Sequence, residues 1–164
     1  MKKLIFSLVM MLTACSQPDY GDFCTEFYLN YGHSDLHEEG IVEQRQEYNL
    51  QYLEFIGGGI HEISDFVEGM RLGETVVDKE KLQYFGPKLI SNALFIEDFE
   101  SVTFLLESGV EPFERMSWEL APAVMLLAED NWLELLEKAD EATEGRYAEK
   151  FDQTKRYGRV CLEL

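Results

Sequence analysis

The chain has 164 residues, of which 46% are hydrophobic, 13% aromatic and 28% charged, a composition typical of one globular domain. It carries 14 basic and 32 acidic residues, and its formal net charge at pH 7 is −18. So negative a surface repels the phosphates of nucleic acids and the headgroups of anionic lipids. Composition therefore excludes a disordered tail and a nucleic-acid-binding protein, and it favours a basic protein as the electrostatic partner.

Residues 1–14 have the pattern of an export signal. Two lysines precede an apolar run over residues 4–12, which is too short to span a bilayer. The run ends in Leu12-Thr13-Ala14-Cys15, which resembles the lipobox of bacterial lipoproteins. That resemblance implies cleavage before Cys15, a diacylglycerol on its thiol and an acyl chain on its new amine. An ordinary secretory signal, or a cytosolic protein with an apolar start, is the alternative.

The lipobox resemblance also implies an address. Two or three acyl chains anchor a protein stably, because each buried methylene contributes about 0.8 kcal/mol. Ser16 is not the aspartate that usually retains such lipoproteins in the inner membrane, so the periplasmic face of the outer membrane is favoured. Residues 15–19 are left as a tether of about 17 Å when extended, and residues 20–164 as a single α-helical domain. Loss of the leader's two lysines leaves 12 basic and 32 acidic residues, a charge of −20.

Two further cysteines, Cys24 and Cys161, lie near the two ends of this domain. Disulfides form and persist in the compartment that the leader implies, and the cysteine count after lipidation is even. We therefore favour a Cys24–Cys161 disulfide, which would stabilise the domain by about 4 kcal/mol through loop-closure entropy. The alternative is a pair of buried, unpaired thiols.

Apolar side chains recur at helical spacing along most of the chain. We expect Asp78 to cap a short helix that ends at Phe85, and Pro87 to begin the next helix in its first turn. The glycine triplet at 57–59 is expected to end the helix before it. The predicted helical ranges are 20–31, 41–56, 60–70, 78–85 and, from residue 86 onward, a series of short helix pairs.

Residues 93–112 resemble the second half of an ankyrin repeat, whose hallmark is a Val-x-x-Leu-Leu-x-x-Gly-Ala-Asp ending. This chain reads Val102-Thr103-Phe104-Leu105-Leu106-Glu107-Ser108-Gly109-Val110-Glu111 at that place. The next segment, with Ala121-Pro122-Ala123 where such repeats have Thr-Pro-Leu, resembles a shortened copy. The expected fold is mostly α, with stacked helix pairs and degenerate ankyrin-like units at about 86–144. An irregular all-α domain is the alternative.

The residues that carry chemistry do not form a recognisable catalytic motif. His33 and His37 are four residues apart among carboxylates, a spacing that holds a divalent metal when it lies on a helix. Gly32, Ser34 and Gly40 predict a polar turn there instead. We therefore predict no catalytic residues, no metal site and no cofactor, and an enzymatic or metal-binding accessory that uses the two histidines is the third hypothesis.

Binding is the function that remains. Ankyrin-like stacks bind partners through exposed turns, and Glu111 and Glu114 follow Gly109 in the turn between the two units. We predict that these two glutamates contact a basic protein partner. By analogy of size, anchor, charge and scaffold, the chain is expected to be a periplasmic immunity lipoprotein that neutralises an antibacterial effector. An envelope scaffold is the alternative.

Overall fold

The computed structural model describes residues 24–25, 27–32, 40–116 and 118–162. Within these ranges the chain is helical, without a strand. The lipobox with Cys15, the tether, His33 and His37 lie outside the described residues. No helix in the described ranges has both the length and the apolar character needed to cross a bilayer.

Eight α-helices lie in these ranges. They are α1 Ile41–Ile56, α2 Ile63–Arg71, α3 Lys79–Phe95, α4 Phe99–Glu107, α5 Pro122–Leu126, α6 Trp132–Ala142, α7 Ala148–Gln153 and α8 Arg159–Leu162. A 3-10 turn, Ile60–Glu62, leads into α2. Two π-helical turns, Tyr28–Gly32 and Thr154–Gly158, lie near the ends of the described chain.

Local chemistry sets several helix ends. The Asp78 carboxylate accepts the N–H groups of Glu80 and Lys81 at 2.9 and 3.1 Å, so it caps α3 as predicted. Asp98 caps α4 by accepting the Ser101 N–H at 3.1 Å. Gly57 ends α1 at a φ of 75°, a left-handed conformation that glycine adopts without strain.

The predicted break between Phe85 and Pro87 is wrong, because α3 runs without interruption through both residues. An interior proline costs about 3 kcal/mol through one lost hydrogen bond and a steric clash. The buried face of α3 continues beyond that point, since Leu89 and Ile90 are completely enclosed. Burial of such side chains contributes about 2 kcal/mol each, which offsets the proline and keeps the helix intact.

The expected mostly α fold with stacked helix pairs is confirmed. Helix α3 pairs with α4 and α5 with α6, and the pairs stack so that α3 contacts α5 and α4 contacts α6. Helix α2 extends the stack by packing on α4. Almost fully enclosed aliphatic side chains fill the interior, among them Leu89, Ile90, Leu105, Leu106, Leu135 and Leu136.

A disulfide joins Cys24 to Cys161, with their Cα atoms 5.2 Å apart. This is the pair that the sequence analysis favours. The chain then packs back on the loop before α5, where the Ala121 N–H donates to the Tyr31 carbonyl at 2.9 Å. The two ends of the described chain are therefore fastened to each other and to that loop.

Helix α1 rests on the helix stack through aromatic rings. Tyr48, Tyr52 and Phe55 place their ring centroids 5.3, 6.0 and 4.9 Å from that of Phe85 on α3. Large rings hold two helices further apart than small aliphatic side chains do, so space remains beside them. That space is the site described next.

Candidate protein-binding groove

Glu111, one of the two predicted contact residues, is not available to a partner. Its side chain is only 3% exposed, and its Oε2 accepts the Phe113 N–H at 3.0 Å. Phe113 packs on Phe151 with a centroid distance of 4.8 Å, and this contact turns the segment inward together with the acid. The expectation that Glu111 lies exposed in the turn is therefore wrong.

Burial has an electrostatic consequence for Glu111. Desolvation raises the pKa of its carboxyl above the ordinary value, although the Phe113 N–H and the charge of Lys150 oppose that rise. Its second oxygen, Oε1, is buried without a hydrogen-bond donor among the described residues. Glu111 is thus a strained interior acid and not a surface contact.

Glu114, the other predicted residue, is exposed and borders a groove. The groove lies between α1, α3 and the loop that joins α4 to α5. One part, of about 260 Å³, is bordered by Tyr48, Tyr84, Lys88, Glu114, Met116 and Glu119. An adjoining part of about 410 Å³ shares Tyr48, Tyr84 and Met116 and adds Glu47 and Trp118. We call the two parts together the α1–α3 groove.

An ion pair crosses the floor of the groove. Lys88 on α3 pairs with Glu119 in the loop, and their side chains are only 14% and 24% exposed. The Lys88 ammonium also lies 5.3 Å from the ring centroid of Tyr48 and 5.4 Å from that of Tyr52, within the range of a cation–π contact. The lysine is therefore saturated by one carboxylate and two aromatic faces.

The tyrosines beneath the groove stay protonated. Burial raises the pKa of the Tyr48 hydroxyl, and the nearby Glu119 carboxylate raises it further. Burial likewise raises the pKa of Tyr52, although a hydrogen bond from Asn92 partly opposes the shift. Both rings therefore act as neutral aromatic surfaces at any physiological pH.

Arg115, the second cation of the groove, is engaged by the backbone. Its guanidinium donates to the carbonyls of Leu29, Asn30 and Glu119 at 3.2, 3.1 and 3.1 Å. Arg115 thus fastens the loop to the amino-terminal turn Tyr28–Gly32. The hydrogen-bond donors of Arg115 are thus directed at the backbone, and the groove has three carboxylates, Glu47, Glu114 and Glu119, against the two cations Lys88 and Arg115.

Trp118 forms part of the groove wall and carries an unsatisfied donor. The residue is 9% exposed, and its ring lies edge-on to Tyr48 at a centroid distance of 6.1 Å. Its indole Nε1 has no acceptor within the described ranges. Sequence reasoning missed Trp118, Tyr84 and Lys88. Tyr84 and Lys88 lie one turn apart on α3, but Trp118 joins them only through packing, and its one signal in the sequence is an aromatic residue in a charged loop.

A serine–carboxylate cluster lies elsewhere, between α2 and α4. The hydroxyls of Ser64 and Ser101 donate to Asp98 Oδ2 at 2.5 and 2.6 Å. Burial raises the pKa of the Asp98 carboxyl, but these hydroxyls and two backbone N–H groups outweigh it, so the pKa lies below the ordinary value. Asp98 also accepts the Ser101 N–H, and we interpret the network as a helix cap that also ties α2 to α4.

Within the described ranges no three metal-ligating side chains cluster. The chain matches no protein-family model, no curated protein and no solved structure. The functional argument therefore depends on the groove and on the residues that line it.

Proposed function

We propose that the chain is an acidic, lipid-anchored envelope protein that binds a basic protein partner. We further propose that this partner is an antibacterial effector, which the chain neutralises as an immunity protein. The observation that carries the proposal is the α1–α3 groove, whose own cations are held internally while Glu47 and Glu114 remain exposed at the rim.

Charge supports a basic partner in two ways. The whole chain has a net charge of −18, which attracts a basic protein over the Debye length of about 8 Å at physiological salt. Rim carboxylates then select the partner and accelerate its encounter more than they add affinity. A groove with an acidic rim and aromatic walls suits that kind of recognition.

The lipobox residues Leu12 to Cys15 support the location of this binding. Lipid attachment at Cys15 would hold the domain at the periplasmic face of the outer membrane, where an effector arriving from another cell enters the periplasm. The same location would serve an envelope scaffold, so neutralisation has to be tested directly.

The decisive experiment combines capture with protection. The full chain with a carboxyl-terminal tag is extracted in mild detergent, captured proteins are identified by mass spectrometry, and each is expressed with an export signal in a sensitive strain. We expect a basic protein that arrests growth when exported alone and that is harmless when the chain is co-expressed. A captured protein that is not toxic would instead favour an envelope scaffold.

Matched charge variants show whether the groove rim is responsible. Glu47→Lys with Glu114→Lys should abolish protection, whereas Glu137→Lys with Glu141→Lys, an equal charge change at exposed positions of α6, should retain it. Equal loss of protection in both double variants would assign binding to overall charge and not to the groove.

A separate test addresses the anchor. Cys15→Ser removes the acceptor thiol, so the variant should neither incorporate labelled palmitate nor fractionate with the outer membrane. Continued palmitate labelling in that variant would overturn the lipoprotein proposal without affecting the groove.

A further inference from the structure

We infer that the α1–α3 groove receives the side chain of an arginine presented by the partner. This inference deepens the proposed function and rests on it, because it names the group through which a basic partner is recognised. Three independent properties of the groove, its size, its rim charge and its aromatic wall, lead to arginine.

The volume of the groove indicates what kind of group it can accommodate. The part of the groove beside Glu114 and Glu119 encloses about 260 Å³. This part accommodates one long side chain, and the adjoining part of about 410 Å³ beside Glu47 and Trp118 leaves room for the backbone that presents it.

The charged side chains that line the groove determine which charge a bound group should carry. Lys88 is neutralised by Glu119, and the Arg115 guanidinium spends its donors on backbone carbonyls. Glu114 makes no ion pair with a described residue, and Glu47 accepts only a hydrogen bond from Gln51 at 3.2 Å. The lining therefore carries three carboxylates, Glu47, Glu114 and Glu119, against two cations, Lys88 and Arg115, and its net charge favours an incoming cation over an anion.

The aromatic wall determines which cation fits. Tyr84 is 50% exposed, and its ring makes steep edge contacts with Tyr48 and Phe85 at centroid distances of 5.4 and 4.7 Å. Half of its surface is therefore accessible beside the acidic rim. The chain already uses this chemistry one turn away, where Lys88 contacts two tyrosine rings. A guanidinium stacks on such a ring and still bonds a carboxylate in its plane, and it loses hydration more easily than an ammonium.

The test uses a defined probe and a reporter inside the groove. The chain contains two tryptophans, so a mature protein labelled with [15N]tryptophan in detergent micelles gives two indole NMR signals. Trp118 lines the groove, and Trp132 at the start of α6 does not. The protein is titrated with N-acetyl-arginine-N-methylamide, and with the citrulline analogue, which has the same shape without the charge, at ionic strength matched with sodium chloride.

We expect the arginine probe to move the Trp118 signal saturably and to leave Trp132 in place. The affinity for citrulline should be at least about fivefold lower, as expected for the loss of one ion pair and one cation–π contact. Glu47→Gln with Glu114→Gln should reduce the arginine affinity by a similar factor. Tyr84→Leu should also reduce it, whereas Tyr84→Phe, which keeps the ring, should not.

Specific results would overturn the inference. Equal binding of citrulline, equal movement of both indole signals, or an unchanged affinity in the glutamine double variant would each exclude an arginine site in the groove. A thermal melt of every variant verifies that it is folded. If the captured partner is basic and neutralised but the probe does not shift the Trp118 signal, this inference fails and the proposed function stands. If the probe binds saturably at Trp118 but the captured partner is not toxic, the arginine site stands and the proposed immunity function fails.

Discussion

The backbone of Gly86 on α3 lies directly against the side chain of Val110, in the loop after α4. A Cβ atom built on Gly86 would lie 2.5 Å from Val110 Cγ1, which is closer than two non-bonded carbon atoms can approach. This contact brings α3 against the end of α4 and holds the start of the loop that forms the groove.

Gly86→Ala is therefore expected to destabilise the domain, although alanine is the better helix former by about 1 kcal/mol. The overpacking against Val110 should outweigh that gain and lower the free energy of unfolding by about 2 kcal/mol. Urea denaturation of a double-mutant cycle with Val110→Ala provides the check. The double variant should lose less than the sum of the two single losses, and strict additivity would contradict the contact.

We expect Asp98→Asn to lower the free energy of unfolding, whereas Asp78→Asn should leave it nearly unchanged. Both residues cap helices, and asparagine caps about as well as aspartate. Asp98, however, accepts the hydroxyl hydrogens of two serines on Oδ2. In Asp98→Asn an NH2 group can occupy that position, and its hydrogens would face the hydrogens of the two hydroxyls. We expect a loss of about 1 to 2 kcal/mol for Asp98→Asn in urea denaturation and a change near zero for Asp78→Asn.

The same carboxylate predicts a dependence on pH. Its folded pKa lies below the ordinary value of 3.8, so the folded state releases this proton more readily than the unfolded chain. The stabilisation is then fully present above about pH 3.8 and is lost as the pH falls through the folded pKa. The difference in unfolding free energy between wild type and Asp98→Asn should narrow over that acidic range, and a constant difference would contradict the assignment.

For Glu111 we expect the opposite dependence of stability on pH, and Glu111→Gln tests it. Burial raises the folded pKa of Glu111 above the ordinary value of 4.5, so stability decreases as the pH rises from 4.5 through the folded pKa. A neutral amide avoids the desolvation of a charge and still accepts the Phe113 N–H. We expect the variant to gain about 1 kcal/mol at pH 7, with the gain disappearing below about pH 4.5. The contribution of Lys150, which favours the charged form, is isolated by repeating both measurements in Lys150→Met.

Lys88→Met should destabilise the domain more than Lys88→Met combined with Glu119→Gln. The single variant leaves a carboxylate that is 24% exposed without its cation, at a cost of about 2 kcal/mol. The double variant removes both charges. Thermal melts should place the double variant between the single variant and wild type, and a double variant that is the least stable of the three would show that the pair itself is strongly stabilising.

Replacing both Cys24 and Cys161 by serine should lower stability substantially. The bond closes a separation of 137 residues, for which loop-closure entropy predicts about 5 kcal/mol. Denaturation of the double variant, with reduced wild type as the matched comparison, gives the value. Two reactive thiols in unfolded, unreduced wild type would contradict the bond.

The features predicted correctly from sequence are those that neighbouring residues determine. Asp78 caps a helix because its side chain reaches N–H groups two and three residues away. The helical spacing of apolar residues over 41–56 likewise predicts α1. Predictions from neighbouring residues were wrong where contacts between residues far apart in the sequence determine the structure. Pro87 remains inside a helix because the residues around it, Phe85, Leu89 and Ile90, are buried. Glu111 turns inward because Phe113 packs on Phe151.

The candidate site was harder to predict than the fold. Of the two glutamates expected to bind a partner, only Glu114 reaches the groove. Tyr84 and Lys88 lie one turn apart on α3, whereas Trp118 belongs to the loop after α4. The path of the loop that brings Trp118 to the groove depends on Arg115 and its carbonyl partners. No spacing in the sequence encodes that meeting.

The order of attachments along the chain has a mechanical consequence. A pull applied from the amino-terminal side, as by a membrane anchor, reaches the Cys24–Cys161 bond before it reaches the carbonyls of Leu29 and Asn30 that Arg115 holds. The covalent bond therefore diverts part of the tension into α8, and less of it reaches the groove loop. In the reduced protein the same tension would act on the hydrogen bonds of Arg115, so the shape of the groove should respond to force more strongly when the disulfide is open.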